Sequence, residues 1–291
     1  MPVMVYQNGS WRPVSDGGGE PPVERTMLVG GAFRPFPGPE FDDYNSDCGP
    51  VRCVRRYDNR QGVPVRFSDR DDFTYIRNND MGLAFSFKYD HSQLANGQWD
   101  NRIVNFVSTW PSDVPGWLLI DNEPDQNSKG LNPATFRAAV EHLHSVLGAH
   151  PRPNVKLGIA LMQWTFREQL NDDTAGVEWL PNVDELFVDI HCYGRHQRLS
   201  PQRYLGTFMQ RMAERPLWTW GVGEVNCYED DNDVNAKADW FTTNADWCYD
   251  HGSEFWLPFD VVQDISYGVR TSPQATAAMK AISTKYDAGP Q

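Results

Sequence analysis

The chain has 291 residues, enough for one domain of about 250 residues with a full core and a short extension. Its formal net charge of −13 argues against nucleic acid as a partner, because contact with a phosphate backbone needs a basic surface. No apolar run approaches the roughly 18 residues that span a bilayer, so a membrane is not an expected partner either.

The amino-terminal residues predict a separate attachment segment. Residues 3–14 alternate loosely around Asn8-Gly9, a pair typical of a tight hairpin turn. Residues 16–22 read Asp-Gly-Gly-Gly-Glu-Pro-Pro, which is typical of a flexible linker. The sequence therefore predicts a hairpin and linker over residues 1–24 and one larger domain over residues 25–291.

From residue 26 onward, short apolar segments alternate with helical patterns. The predicted strands span residues 27–32, 51–57, 82–87, 117–121, 156–162, 185–191, 217–224 and 253–258. Helices are predicted from Ser68, through Ile103 and Trp110, from Asn132 to Gly148, from Ser200, over residues 235–250 and from Ser272. Only a short helical piece is expected between residues 165 and 182.

This alternation predicts an α/β fold, a (β/α)8 TIM barrel with a short N-terminal extension. Consecutive strands joined by helices pair in parallel with right-handed crossovers, and eight such units close into a barrel. A doubly wound open sheet is the alternative. The first strand does not favour it, because Val29-Gly30-Gly31-Ala32 lacks the third glycine of a phosphate-binding fingerprint.

Two predicted strands end in a glutamate. The fourth runs into Asn122-Glu123-Pro124, and the seventh ends at Glu224. The C-terminal ends of barrel strands open on one face, so we expect the two carboxylates to lie close together, as glycoside hydrolysis requires. The alternative is that Glu123 has no catalytic role and only stabilises a helix N-terminus through its negative charge, and that Glu224 is an ordinary residue after a strand.

These residues resemble the clan A retaining glycoside hydrolases. The resemblance implies that Glu123 is the acid/base and Glu224 the nucleophile of a double displacement that cleaves β-glycosidic bonds of a polysaccharide. The two roles require environments that separate the carboxyl pKa values. The resemblance also implies a separation of about 5 to 5.5 Å between the carboxyl groups.

The same resemblance implies roles in substrate binding for further residues. Asn122 would bind the sugar 2-hydroxyl group, and an arginine at the end of strand two would hold the nucleophile ionised. Strand alternation allows only one of Arg55 and Arg56 to point inward, and we favour Arg55. His191 and Tyr193 close strand six, where the family places a histidine or tyrosine beside the nucleophile. The alternative for this pair is a rim histidine and a packing tyrosine.

Aromatic residues supply the remaining candidates. The chain has eleven tryptophans, and aromatic faces stack on sugar rings as readily as they fill cores. Trp256 on strand eight matches the family's sugar-platform tryptophan, and Trp164 after strand five is placed to line the cleft. For each of them a position in the core is the alternative.

No metal ion and no cofactor are expected. Asp189-x-His191 and the acidic residues 229–233 suggest a metal site, but the acidic run lacks the glycine and final glutamate of a calcium-binding loop. A solvated acidic loop is the favoured interpretation. The five cysteines form no CxxC pair, and because their number is odd they cannot all pair with one another. Both facts favour reduced thiols over disulfides or a zinc site.

The amino-terminal residues Val5 to Trp11 are similar to the openings of minor tail proteins from phages of actinobacteria. That similarity implies a virion protein as partner of residues 1–24, and a location in a phage tail. Otherwise we expect a soluble cytoplasmic protein, since the first residues resemble no secretory signal peptide. Three functions stay open: a retaining β-glycosidase, a catalytically weak carbohydrate-binding protein, and a structural virion component.

Overall fold

The computed structural model describes residues 4–7, 10–13, 26–33, 36–58, 62–126, 130–167, 177–195, 198–230, 232–259 and 268–287. Two short strands near the amino terminus, β1 (Met4–Gln7) and β2 (Ser10–Pro13), pair in antiparallel fashion with each other. The predicted linker at residues 16–22 lies outside the described residues. The division into two domains stays a prediction.

Eight further strands form one closed parallel barrel, as the sequence predicted. In order around the barrel they are β3 (Leu28–Ala32), β4 (Cys53–Asp58), β5 (Gly82–Phe87), β6 (Gly116–Ile120), β7 (Val155–Met162), β8 (Phe187–Arg195), β9 (Thr219–Cys227) and β10 (Phe255–Pro258). β10 pairs with β3, which closes the ring. Neighbours in sequence are thus neighbours in space, so every crossover joins adjacent strands.

Helices follow most of the strands. They are α1 (Pro39–Cys48), α2 (Asp71–Asn78), α3 (His91–Ala95), α4 (Asp100–Ser108), α5 (Pro133–Gly148), α6 (Gln163–Arg167), α7 (Pro201–Ala213), α8 (Ala236–Asp250) and α9 (Pro273–Lys285). Asn132 and Ser272 cap α5 and α9 through their side chains, each followed by a proline in the first turn. Helices α1 and α3 were not predicted. Among the described residues, no helix is long and apolar enough to cross a membrane.

Two cores hold the barrel together. The larger core lies between the strands and the helices, and it takes the outward residues of each strand, such as Val54, Ile120 and Val222. The smaller core fills the barrel interior with Leu28, Cys53, Ala84, Trp117, Leu119, Phe187, Phe255 and Leu257. The inward residues become polar toward the strands' C-terminal ends: Cys53 is followed by Arg55, and Phe187 by Asp189. The interior therefore ends in a charged layer at the barrel mouth.

Candidate active site

Glu123 reaches the mouth through a sharp turn after β6. Asp121 and Glu123 both adopt positive φ angles, 60° and 54°, a region that costs a non-glycine residue about 1 to 3 kcal/mol. The Glu123 backbone N–H donates to the carbonyl of Ala160 on β7, at 3.1 Å, which fixes the turn against the barrel. The Glu123 side chain is 7% exposed. Backbone strain of this kind concentrates at functional sites.

Glu224 points into the mouth because β9 contains a β-bulge. Val222 and Val225 of β9 pair with Ile190 and Cys192 of β8, so three residue steps on one strand face two on the other. β10 shows the same offset opposite this stretch of β9. Both valines pack in the outer core, so the two residues between them, Gly223 and Glu224, face the interior together. The bulge thus re-aims Glu224 toward the mouth.

Gly223 makes room for a buried ion pair. A Cβ atom at this position would overlap the carboxylate of Asp189 and the guanidinium of Arg55. Those two side chains are fully buried and form an ion pair inside the barrel. A glycine at the bulge is therefore required by close packing as well as by the strand geometry.

The two candidate catalytic carboxylates lie close together, with His191 between them. His191 Nδ1 is 2.9 Å from Glu123 Oε1 and 3.8 Å from Glu224 Oε2. One ligand atom from each of the three side chains lies within 4.8 Å of the other two. The opposite ring nitrogen, Nε2, is 3.4 Å from Asp189 Oδ2. The structure thus brings together the two glutamates and the histidine singled out from the sequence.

Tyr57, at the end of β4, was not predicted as a site residue. Its hydroxyl group donates a hydrogen bond to Glu224 Oε1. Burial raises the pKa of Tyr57 well above its usual value, so the phenol stays protonated and remains a donor. Tyr57 lies two residues after Arg55 and so shares its inward face, which is the sequence pattern that would have identified it.

Arg55 points inward, whereas Arg56 points toward the helices. The Arg56 guanidinium donates to Asp72 and to the carbonyl of Phe33. Arg55 pairs with Asp189, and its Nη2 donates to Ser86 Oγ at 2.9 Å and to Asn122 Oδ1 at 3.2 Å. Its positive charge is therefore compensated by Asp189, and a donor to Glu224 comes from Tyr57 instead.

The prediction for Trp256 is wrong. Phe255 and Leu257 occupy the barrel interior, so Trp256 between them faces outward and is fully buried. Its Nε1 donates to Asn244 Oδ1 on α8 at 2.9 Å, and its ring packs edge-on against Phe241. A side chain enclosed by a helix in this way has no free face for a sugar.

The other predicted binding residues lie at the mouth or beyond the described atoms. Asn122 is partly exposed and accepts the hydrogen bond from Arg55, so its predicted contact with a sugar hydroxyl stays a prediction. Trp164 is partly exposed on α6, directly after β7. The side chain of Tyr193 lies outside the described residues.

A third carboxyl group lies behind the turn that carries Glu123. Asp125 is 2% exposed, and its Oδ2 accepts from the Met162 N–H at 2.9 Å and from the Thr165 hydroxyl group. Burial raises the pKa of Asp125 to about 6, although these hydrogen bonds act in the opposite direction. Asp125 thus ties the turn after β6 to helix α6.

Known proteins match this chain in fold rather than in sequence. No protein-family model and no curated protein matches it. A solved structure of GH26C from a Muricauda species has 13% identity over 91% of this chain and 88% of that chain, with a TM-score of 0.60. A GH128 curdlan-specific exo-β-1,3-glucanase from Blastomyces gilchristii, in complex with glucose, has 15% identity over 87% and 97%, with a TM-score of 0.54.

A third match has a different described role. It is a GH128 oligosaccharide-binding protein from Trichoderma gamsii, with 14% identity over 89% of this chain and 95% of that chain, and a TM-score of 0.50. The chain shares the barrel fold of clan A glycoside hydrolases. Identities this low establish the fold alone, so the activity has to be argued from the site.

Proposed function

We propose that the protein is a retaining glycoside hydrolase that cleaves β-glycosidic bonds of a polysaccharide. The observation that carries the proposal is the spacing of Glu123 and Glu224, which have carboxylate oxygens within 4.8 Å of each other. Retaining enzymes hold these groups about 5 to 5.5 Å apart, whereas inverting enzymes leave about 6.5 to 9.5 Å for a water molecule. The short spacing therefore favours double displacement.

The two carboxylates have different neighbours. Glu224 accepts a hydrogen bond from Tyr57, which fixes the direction of its carboxylate group. Glu123 lies against His191 and receives a hydrogen bond from Gln126 Nε2 at 2.6 Å. We assign Glu224 as the nucleophile and Glu123 as the acid/base.

The reaction then has two steps. Glu224 attacks the anomeric carbon while Glu123 gives its proton to the departing glycosidic oxygen, which leaves a covalent glycosyl-enzyme. In the second step Glu123, now ionised, takes a proton from water as the water oxygen attacks the same carbon and releases Glu224. Both protons move through Glu123, and no metal ion or cofactor takes part in the reaction.

The fold neighbours suggest which glycans to test first. The Blastomyces neighbour acts on a β-1,3-glucan, so β-glucans head the panel of polysaccharides to be tested, followed by β-mannans and aryl β-glycosides. We expect turnover with retention of configuration at the anomeric carbon. Proton NMR of the first product formed measures that configuration. Glu123→Gln and Glu224→Gln should each lower kcat by about a thousand-fold or more.

Glu254→Gln is the matched control. Glu254 lies at the opposite end of the barrel, where it accepts from Trp117 Nε1 and pairs with Lys156. Its replacement should leave kcat near that of the unmodified protein. An inverted product, or full activity in Glu224→Gln, would overturn the assignment.

The fold neighbours also favour a second candidate, a carbohydrate-binding protein without turnover. The Trichoderma neighbour is described as an oligosaccharide-binding protein. Calorimetry with the same glycans separates the two functions: tight binding without turnover, unchanged in both glutamine variants, would support binding alone.

The β1–β2 hairpin suggests an attachment role for residues 1–24. Its strands pair with each other, and among the described pairings neither of them joins the barrel. We propose that it attaches the barrel to a protein assembly such as a phage tail. Light scattering of the full chain, compared with a chain without residues 1–24, tests this: an assembly that depends on the hairpin supports the role, whereas identical masses contradict it.

A further inference from the structure

Three side chains at the mouth direct one metal-binding atom each toward a common point. They are Nδ1 of His191, Oε1 of Glu123 and Oε2 of Glu224, and all three residues are buried. We infer that these groups form a binding site for one divalent transition metal ion, which inhibits the enzyme by occupying both catalytic carboxylates. The inhibition rests on the proposed function, whereas the binding does not.

The spacing of the three atoms fits a small metal ion. Bonds of about 2.0 to 2.2 Å with tetrahedral angles place ligand atoms about 3.3 to 3.6 Å apart. The Nδ1 atom of His191 lies 2.9 Å from Glu123 Oε1 and 3.8 Å from Glu224 Oε2, on either side of this value. The two carboxylate oxygens lie within 4.8 Å of each other, so small side-chain rotations bring them to an ion.

The two carboxylate ligands are also oriented from behind. Metal-binding carboxylates are typically held by hydrogen bonds at the atom that does not bind the metal. Glu123 Oε2 accepts from Gln126 at 2.6 Å, and Glu224 Oε1 accepts from Tyr57. Behind His191, Nε2 lies 3.4 Å from Asp189 Oδ2.

The charges agree with a divalent ion. Two ionised carboxylates and a neutral imidazole would match the charge of a divalent cation, and unpaired charge is costly in a buried setting. The charge of Arg55 is compensated by Asp189. An imidazole with two carboxylates is a ligand set that suits zinc and its neighbours in the first transition row.

A bound ion would block the reaction directly. It would be held by the carboxylate oxygens of Glu123 and Glu224, and the proposed reaction needs both of these side chains. Neither carboxylate could then act on a substrate.

Calorimetric titration of the metal-free full chain with Zn²⁺ tests the site without any substrate. We expect one ion per chain at about pH 7, with affinity lowered about 100-fold or more in His191→Asn and in Glu224→Gln, and about 10- to 100-fold in Tyr57→Phe. Circular dichroism confirms that each variant is folded. Glu123→Gln provides a further ligand variant if one of the others does not fold.

His142→Asn is the matched control, because His142 Nε2 also lies 2.9 Å from a carboxylate, that of Asp100, but on the outer helices. It should bind Zn²⁺ as the unmodified chain does. Absence of stoichiometric binding, or binding that persists in both His191→Asn and Glu224→Gln, would overturn the site. Zinc binding with no turnover on any glycan would overturn the proposed hydrolase and leave the metal site standing.

Discussion

His191 and Glu123 are joined by a hydrogen bond of 2.9 Å between Nδ1 and Oε1, at the point where the proposed reaction moves its protons. The other ring nitrogen, Nε2, lies 3.4 Å from Asp189 Oδ2. A carboxylate accepts hydrogen bonds and does not donate them, so this neighbour favours the tautomer with a hydrogen on Nε2. In that tautomer Nδ1 accepts the proton that Glu123 donates.

Replacing His191 with Asn keeps a polar nitrogen in place but removes the second proton site. In metal-free buffer, we expect kcat/KM for a phenyl β-glycoside to fall about 10- to 100-fold. A dinitrophenyl glycoside, whose leaving group needs no proton, should be much less affected. Equal losses with both substrates would reduce His191 to a packing role, and His142→Asn should change neither rate.

The barrel and the place of Glu123 could be predicted from the sequence because both depend on local patterns. Eight apolar segments separated by helical ones leave little choice of topology. Glu123 directly follows an apolar strand, so its position at the strand's end needs no knowledge of the neighbouring strands. The positive φ angles at Asp121 and Glu123 shape the final direction of the side chain, and the residue types alone do not indicate them.

The direction of Glu224 depends on pairing between strands, which the sequence does not contain. Strict alternation from Val222, which faces the helices, would turn Glu224 to the outer core as well. The bulge reverses that direction, and it arises from the register with β8 and β10. Gly223 is the one feature of the sequence that indicates this bulge, since a glycine within a strand often marks one.

Trp256 was misassigned because its strand is apolar on both faces. Alternation cannot distinguish the inner from the outer face of this strand, because Phe255, Trp256 and Leu257 are all apolar. On β4, by contrast, Arg55 and Tyr57 share the inward face in the structure, while Arg56 between them faces the helices. The same alternation that favoured Arg55 would have identified Tyr57.

Tyr57→Phe should weaken the enzyme without affecting its fold. The change removes the hydroxyl group that donates to Glu224. The hydrogen bond holds the carboxylate of Glu224 in the direction of attack, and loss of such positioning should lower kcat by roughly 10- to 100-fold. Steady-state kinetics on an aryl β-glycoside measures the effect.

Tyr286→Phe is the control for this substitution. The Tyr286 hydroxyl donates to Asp246 Oδ1 at 2.6 Å between the outer helices, so its loss removes a similar bond away from the mouth. We expect kcat to stay within about two-fold of the unmodified enzyme in this variant, since a change among the outer helices acts on stability rather than on chemistry. A matching loss of kcat in both variants would contradict the role of Tyr57.

Gly223→Ala should both destabilise the protein and inactivate it. The added methyl group overlaps the buried pair of Asp189 and Arg55, so either the pair or the bulge has to shift. We expect a loss of about 2 to 4 kcal/mol in the free energy of unfolding, measured by urea denaturation. Gly206→Ala is the control: nothing lies near that position on α7, and helix propensity predicts a gain of about 0.5 to 1 kcal/mol. Equal stabilities of the two variants would contradict the packing argument.

Asp125 should make the stability of the protein depend on pH between about 4 and 6. Burial raises its pKa in the folded chain to about 6, from an ordinary value of 3.8. The folded chain therefore holds this proton more tightly than the unfolded chain. The resulting stabilisation is complete below the unfolded value, is lost as the pH rises through about 6, and amounts to about 2 to 3 kcal/mol.

Asp125→Asn removes this titration while keeping an oxygen that can accept from Met162 and Thr165. Urea denaturation of both proteins from about pH 4 to pH 7 should show the unmodified chain losing stability relative to the variant as the pH rises. Asp121→Asn should show the opposite dependence in a series extended below about pH 4. Burial acts to raise the pKa of Asp121, but hydrogen bonds from His91 and the Asn122 N–H outweigh it and lower the pKa. That contribution is present above about pH 4 and lost below it. Parallel curves for Asp125→Asn and the unmodified chain would show that Asp125 is ionised throughout this range.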